Sequence, residues 1–199
     1  MGLGICLLLA AGCLLVGNRR QASAAAQASQ ELLTELLTQM EMAPAETVET
    51  LPEPVDTEMT QKEIDGYSYI GYLSIPKLEL ELPVMSQWDY ERLKIAPCRY
   101  SGSTKRNDLV LLAHNFYRHF GQLKKLEAGD LISFTDMDGV SGCYAVVKTE
   151  ILSPGETEAM ETGDWDLTLF TCTYGGHSRV TVRCSRSDQA IEKENGLRP

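Results

Sequence analysis

Between residues 167 and 184 apolar and polar side chains alternate on both sides of a glycine pair, and no other stretch restricts the fold as tightly. Leu167, Leu169 and Thr171 fall on one face of an extended run, and Thr168, Phe170 and Cys172 on the other. A turn over Thr173–Ser178 follows, in which Gly175-Gly176 supplies the positive φ angles that a tight reversal needs. On the return run Val180, Val182 and Cys184 share a face, opposite Arg179, Thr181 and Arg183. The pattern predicts a β-hairpin that brings Cys172 beside Arg179. A thiol with a guanidinium next to it has what nucleophilic acyl transfer requires: a cation to favour the thiolate and a donor for the oxyanion.

A second chemical group lies upstream. Leu109–Ala113 is a short apolar run that reads as a buried strand, and it delivers His114-Asn115 where strand gives way to loop. A cysteine and a histidine far apart in sequence, each at a strand end, form one arrangement of a thiol acyltransferase or peptidase. His177 sits five residues from Cys172 and is the alternative base. His119, at the start of a short helical stretch, needs only a solvated role. A metal site built from His114, Cys172, His177 and Cys184 matches no compact zinc spacing, so no metal is assigned.

From Gly66 onward the signals are short strands and turns. Leu78, Leu80, Leu82 and Val84 alternate with Glu79, Glu81 and Pro83. Further strands are predicted at 131–134, 143–152, 167–172 and 179–184, with a hairpin turn at Asp136–Gly139 and short helices at 88–93 and 119–126. Many short strands with Gly- and Pro-rich turns give a mainly β domain, closed or sandwich-like.

These motifs together resemble the sortase family, the surface transpeptidases of Gram-positive bacteria. Leu167-Thr168-Leu169-Phe170-Thr171-Cys172 with Arg179 is similar to the family's cysteine strand and following arginine. His114-Asn115 is similar to its histidine context, Tyr69–Leu78 to its first strand and turn, and Phe120–Asp130 to the segment after the histidine. The resemblance implies a closed eight-stranded β-barrel with short helices, in which Cys172 is the nucleophile, His114 the acid–base group and Arg179 the oxyanion cation. Arg183, on the same face, then has a structural or rim role. The resemblance also places Asn115, Thr171 and Tyr174 near the substrate groove. It implies cleavage of an LPXTG-like sorting signal after threonine and transfer to an amine, from a cell-wall precursor or a pilin lysine, without a cofactor. A peptidase that hydrolyses its acyl-enzyme and a non-catalytic surface β-domain are the alternatives. The short connection over 152–167 and the lack of a second apolar segment after residue 184 resemble class D, class E or a short class B-like branch.

A net charge of −10 over 199 residues argues against nucleic acid as a partner, since phosphates require a basic face. Met1–Gly17 is almost uncharged and apolar, near the lower edge of the roughly 20 residues a membrane-spanning helix needs. A secretory signal would carry its basic region first, whereas Arg19 and Arg20 come after the apolar run. That order opposes the orientation an external catalytic domain requires, so a basic head upstream of Met1 is expected. Ala10–Cys13 has the small residues of a lipoprotein cleavage site but lacks its leucine.

Leu32, Leu33, Leu36, Leu37 and Met40 form one stripe of a helix, which fits a stalk, a self-association helix or an appendage on the domain. Residues 41–61 carry six acidic side chains, three prolines and no basic residue, as an extended linker would. The expected organisation is a membrane anchor or signal over 1–20, helix and linker over 21–63, the catalytic domain over 64–188 and a tail over 189–199. Cys98, Cys143 and Cys184 are expected as free, buried thiols, and the spacing fixes no pairing among them.

Overall fold

In a computed structural model that describes residues 2–42 and 58–189, the alternating runs become strands. They are β1 (Lys62–Ile64), β2 (Tyr67–Ile75), β3 (Leu80–Met85), β4 (Cys98–Ser101), β5 (Leu109–Leu112), β6 (Leu131–Asp136), β7 (Ser141–Leu152), β8 (Leu167–Cys172) and β9 (Arg179–Arg186). Neighbours follow in the order β2, β3, β4, β5, β8, β9, β7, β6, and β6 pairs back onto β2. That last pairing closes the expected eight-stranded barrel, with β1 continuing the sheet outside the ring as an antiparallel partner of β2. Pairing is antiparallel except between β3 and β4 and between β5 and β8.

Closure depends on one glycine. Gly71 sits at a register shift in β2 with φ +147°, and a Cβ there would lie 2.0 Å from the Thr135 carbonyl oxygen of β6. No side chain fits between these two backbones.

The inward positions of the strands fill the barrel: Leu73, Leu82, Leu109, Leu111, Phe134, Tyr144, Leu169 and Val182 are all buried in one cluster. Phe120 and Leu123 join it from a 3₁₀ turn over Phe120–Lys125, the form the predicted helix at 119–126 takes. The helix predicted at 88–93 contracts to a 3₁₀ turn at Arg92–Lys94.

Helix α1 runs unbroken from Gly2 to Met42, through the boundary expected near residue 20. Its stripe settles the three readings of that segment: the helix lies on the domain. Leu36 is buried among Ile64, Tyr69, Met85, Leu93 and Cys98, with Leu32 and Met40 packed beside it. At roughly 1.5–3 kcal/mol per buried leucine, Leu33 and Leu36 are enough to seat the helix. Among the described residues no helix is long and apolar enough to cross a membrane. Most of the acidic linker and the tail beyond Gln189 lie outside the described residues.

Cys98, Cys143 and Cys184 are free thiols. Burial pushes Cys98 and Cys184 up to about 12, whereas Cys143 is only half-buried, contrary to expectation.

Candidate active site

The parallel pairing of β5 with β8 aligns the two chemical groups. Leu112 lies opposite Phe170, and continuing that register by two residues sets His114 opposite Cys172. The chain holds this extension together beyond the strands. The Ala113 N–H donates to the Phe170 carbonyl at 3.3 Å, and the Thr171 hydroxyl donates to the Ala113 carbonyl at 2.8 Å. On the other side, Cys172 is the register partner of Arg179 on β9. Directly opposed residues project from the same face of a sheet. His114, Cys172 and Arg179 therefore stand abreast on neighbouring chain segments at one end of the barrel.

The β8–β9 turn is built as its sequence requires. Gly175 and Gly176 have φ of +86° and +76°, the Thr173 N–H donates to the Ser178 carbonyl at 2.9 Å, and the Ser178 N–H donates to the Thr173 hydroxyl at 3.0 Å. Arg179 Nη1 donates to the Gly176 and Ser178 carbonyls at 3.1 and 3.2 Å. These bonds hold the fork at the turn with its second nitrogen and Nε available to a ligand.

The three residues open onto a cleft of about 260 Å³. Leu112, Ala113 and Phe170 line it together with the aromatic Trp88, Tyr90 and Tyr100 and with Pro154 and Met160. Trp88 packs against both Tyr90 and Tyr100, and Tyr100 meets Phe170 edge-on at 5.2 Å. An apolar cleft with one thiol, one imidazole and one guanidinium at its end suits an extended peptide with aliphatic or proline side chains.

The outer candidates divide. Asn115 lines the cleft, its Oδ1 3.4 Å from His114 Nδ1. Thr171 does not line it: the alternation of β8 turns its side chain inward, where it is buried and bonds Ala113. Tyr174 is 84 % exposed at the turn and lies outside the cleft lining. His177 is likewise exposed and outside it. His119, expected to be solvated, is completely buried.

Arg183 is structural, not a rim charge. Its Nε donates to Glu150 at 2.9 Å, Nη1 to the Met160 carbonyl and the Thr168 hydroxyl, and Nη2 to the Ala159 carbonyl. It thereby ties a one-turn helix, α2 (Thr157–Glu161), to the barrel and with it the Met160 wall of the cleft. Burial pushes the Glu150 carboxyl up, but Lys148 and Arg183 outweigh it and hold the group below its ordinary value.

The aromatic residues of the cleft, Trp88, Tyr90 and Tyr100, and the residue beneath His114 were not read from the sequence. Phe116 stacks under the imidazole, rings 4.3 Å apart and within 2° of parallel. An aromatic two places after a strand-end histidine was the available signal.

Comparison with known proteins agrees with this geometry. A sortase domain profile matches residues 73–187. Sortase A of Bacillus anthracis is 27 % identical over 128 residues, which cover 61 % of this chain and 60 % of that protein. The chain thus spans about 60 % of the length of the curated relative it matches. Sortase C1 from Streptococcus agalactiae is 27 % identical with a TM-score of 0.56, over 64 % of this chain and 72 % of that one. A structure of Clostridium perfringens sortase C with its C-terminal cell wall sorting motif shares the fold at 22 % identity, with a TM-score of 0.54 over 80 % of this chain and 91 % of its own. The profile takes in more than half of the chain, including the end of β2, every strand from β3 to β9, His114, Cys172 and Arg179, and by that measure the chain belongs to the sortase domain family.

Proposed function

We propose that this protein is a cysteine transpeptidase that cleaves an LPXTG-like sorting signal and passes the acyl group to an amine. The observation that carries the reading is the row formed by His114, Cys172 and Arg179 at the end of an apolar cleft. Cys172 transfers its proton to His114, and the thiolate attacks the threonine carbonyl carbon. The carbonyl electron pair moves onto oxygen, and Arg179 with its two free donor positions stabilises that charge. Collapse breaks the C–N bond, the His114 imidazolium protonates the departing amine, and a thioester to Cys172 remains. The acceptor amine then attacks the thioester and loses its proton to neutral His114, and the thiolate leaves. None of these steps calls for a cofactor.

The acceptor, a cell-wall precursor or a pilin lysine, belongs to the same proposal, as does attachment to the cell membrane through the N-terminal segment with the catalytic domain outside. Sorting-motif recognition by a fold relative supports the peptide assignment. The test is incubation with LPXTG-like peptides and candidate amines, read by intact mass and peptide mapping. An acyl adduct on Cys172 that converts to an amine-linked product is the expected result. Acylation elsewhere, or none with any peptide, overturns the reading, and release of free acid even with amine present turns it into a peptidase.

A further inference from the structure

His119 has no part in the reaction, yet it is wholly buried, and polar groups in such places are held for a reason. Its Nε2 lies 3.2 Å from the hydroxyl of Ser29, itself buried, on α1. The Ser29 hydroxyl also bonds the Ile95 carbonyl at 2.5 Å. A hydroxyl has one proton, and a carbonyl can only accept, so that proton goes to Ile95 and Ser29 accepts from His119 Nε2–H. The Ala25 backbone of α1 also bears on the ring, a second tie to that helix. Burial, and after it the charge of His114, pushes His119 down to about 4, so the ring stays neutral.

The opposite face of this ring leads to the active site. His119 meets Phe116 at 5.6 Å, and Phe116 is the ring stacked under His114. The loop that carries all three is locked: the His119 and Gly121 N–H groups donate to the Phe116 carbonyl, and the Phe120 N–H donates to the His114 carbonyl. A Cβ on Gly121 would stand 2.5 Å from the Asn115 carbonyl oxygen, so the loop has no room to shift.

We propose that Phe116 and His119 are positioning residues for His114, and that Ser29 of the N-terminal helix fixes His119 and thereby makes docking of α1 part of the active site. A flat ring packed against the imidazole fixes its plane. The proposal rests on the reading of His114 as the acid–base group.

The experiment uses the full chain in detergent, with Ser29→Ala, Phe116→Leu and the double variant. Two quantities are followed: the rate of Cys172 alkylation by iodoacetamide, read by peptide mass, and the ring-proton shifts of His114 in histidine-labelled protein, which report its stacking on Phe116. With three histidines in the chain, the ring signals are assignable. Each single variant should lower the alkylation rate at neutral pH by about 3- to 10-fold and move the His114 ring-proton signals. Ser29 acts on His114 only through His119 and Phe116, so the double variant should be no slower than the slower single one. Thr38→Ala, on the exposed side of α1, should leave the His114 ring signals in place. Multiplying effects, unmoved His114 ring signals in Ser29→Ala, or an equal shift in Thr38→Ala would each overturn the proposal. A wild-type protein unlabelled at Cys172 counts against the nucleophile instead, and the His114 ring signals still decide the positioning role.

Discussion

Arg179 and Arg183 share a strand and a face, four residues apart, and do different work because their surroundings differ. Arg179 stands at the cleft, held by two turn carbonyls with donors to spare. Arg179→Ala should lower turnover about 10²–10³-fold, the cost of an oxyanion donor, with the melting temperature unchanged. Arg179→Lys should recover little, since an ammonium lacks the planar fork. Arg183 is 2 % exposed and carries Glu150, Thr168 and two α2 carbonyls. Its removal takes this donor from the Thr168 hydroxyl and the two carbonyls, so Arg183→Ala should cost roughly 3 kcal/mol in a urea titration. His114→Ala should lower turnover about 10²–10⁴-fold and His177→Ala should not, as measured with one peptide at saturating amine.

Among the elements, the contact between β2 and β6 is the least forgiving. A methyl group on Gly71 would meet the Thr135 carbonyl at 2.0 Å, backbone against backbone, with φ at +147°. Gly71→Ala should therefore destabilise by at least about 3 kcal/mol, seen as a lower urea midpoint, and open the ring at that seam. The strands and the three reactive residues were legible in the sequence because their signal is local: period-two alternation, a glycine pair, a strand-end histidine. β1 escaped because it is only three residues long, and β4, Cys-Arg-Tyr-Ser, because it lacks the apolar run that marks the equally short β5. The cleft walls escaped for another reason. Trp88 and Tyr90 follow β3, and Pro154 and Met160 follow β7. Only the closed ring brings those segments to the same end, and no local pattern encodes that. Thr171 was misplaced because its neighbour Cys172 faces the cleft, and adjacent residues on a strand face opposite ways.

At the scale of the molecule, the buried His119 links stability to pH. Its folded value of about 4 lies below the ordinary 6.5, so the unfolded chain binds the proton more readily. The resulting stability is in full force above pH 6.5 and is lost as pH falls towards 4, up to about 3 kcal/mol. Urea midpoints from pH 7 to 4 should fall in the wild type and fall less in His119→Gln.

The parallel pairing of β5 and β8 also governs when the chain becomes reactive. Parallel neighbours cannot be joined by a hairpin, and residues 113–166 lie between these two. Such a long loop closes late, while β8–β9, joined by a short turn, can form early. Cys172 thus meets Arg179 before it meets His114, and the thiol lacks its proton acceptor until the ring is complete. In a refolding experiment, rapid iodoacetamide labelling of Cys172 should trail the first gain of β signal and rise with ring closure. A chain being synthesised or threaded through a membrane would accordingly be chemically quiet, becoming an acylating agent only on reaching its final shape.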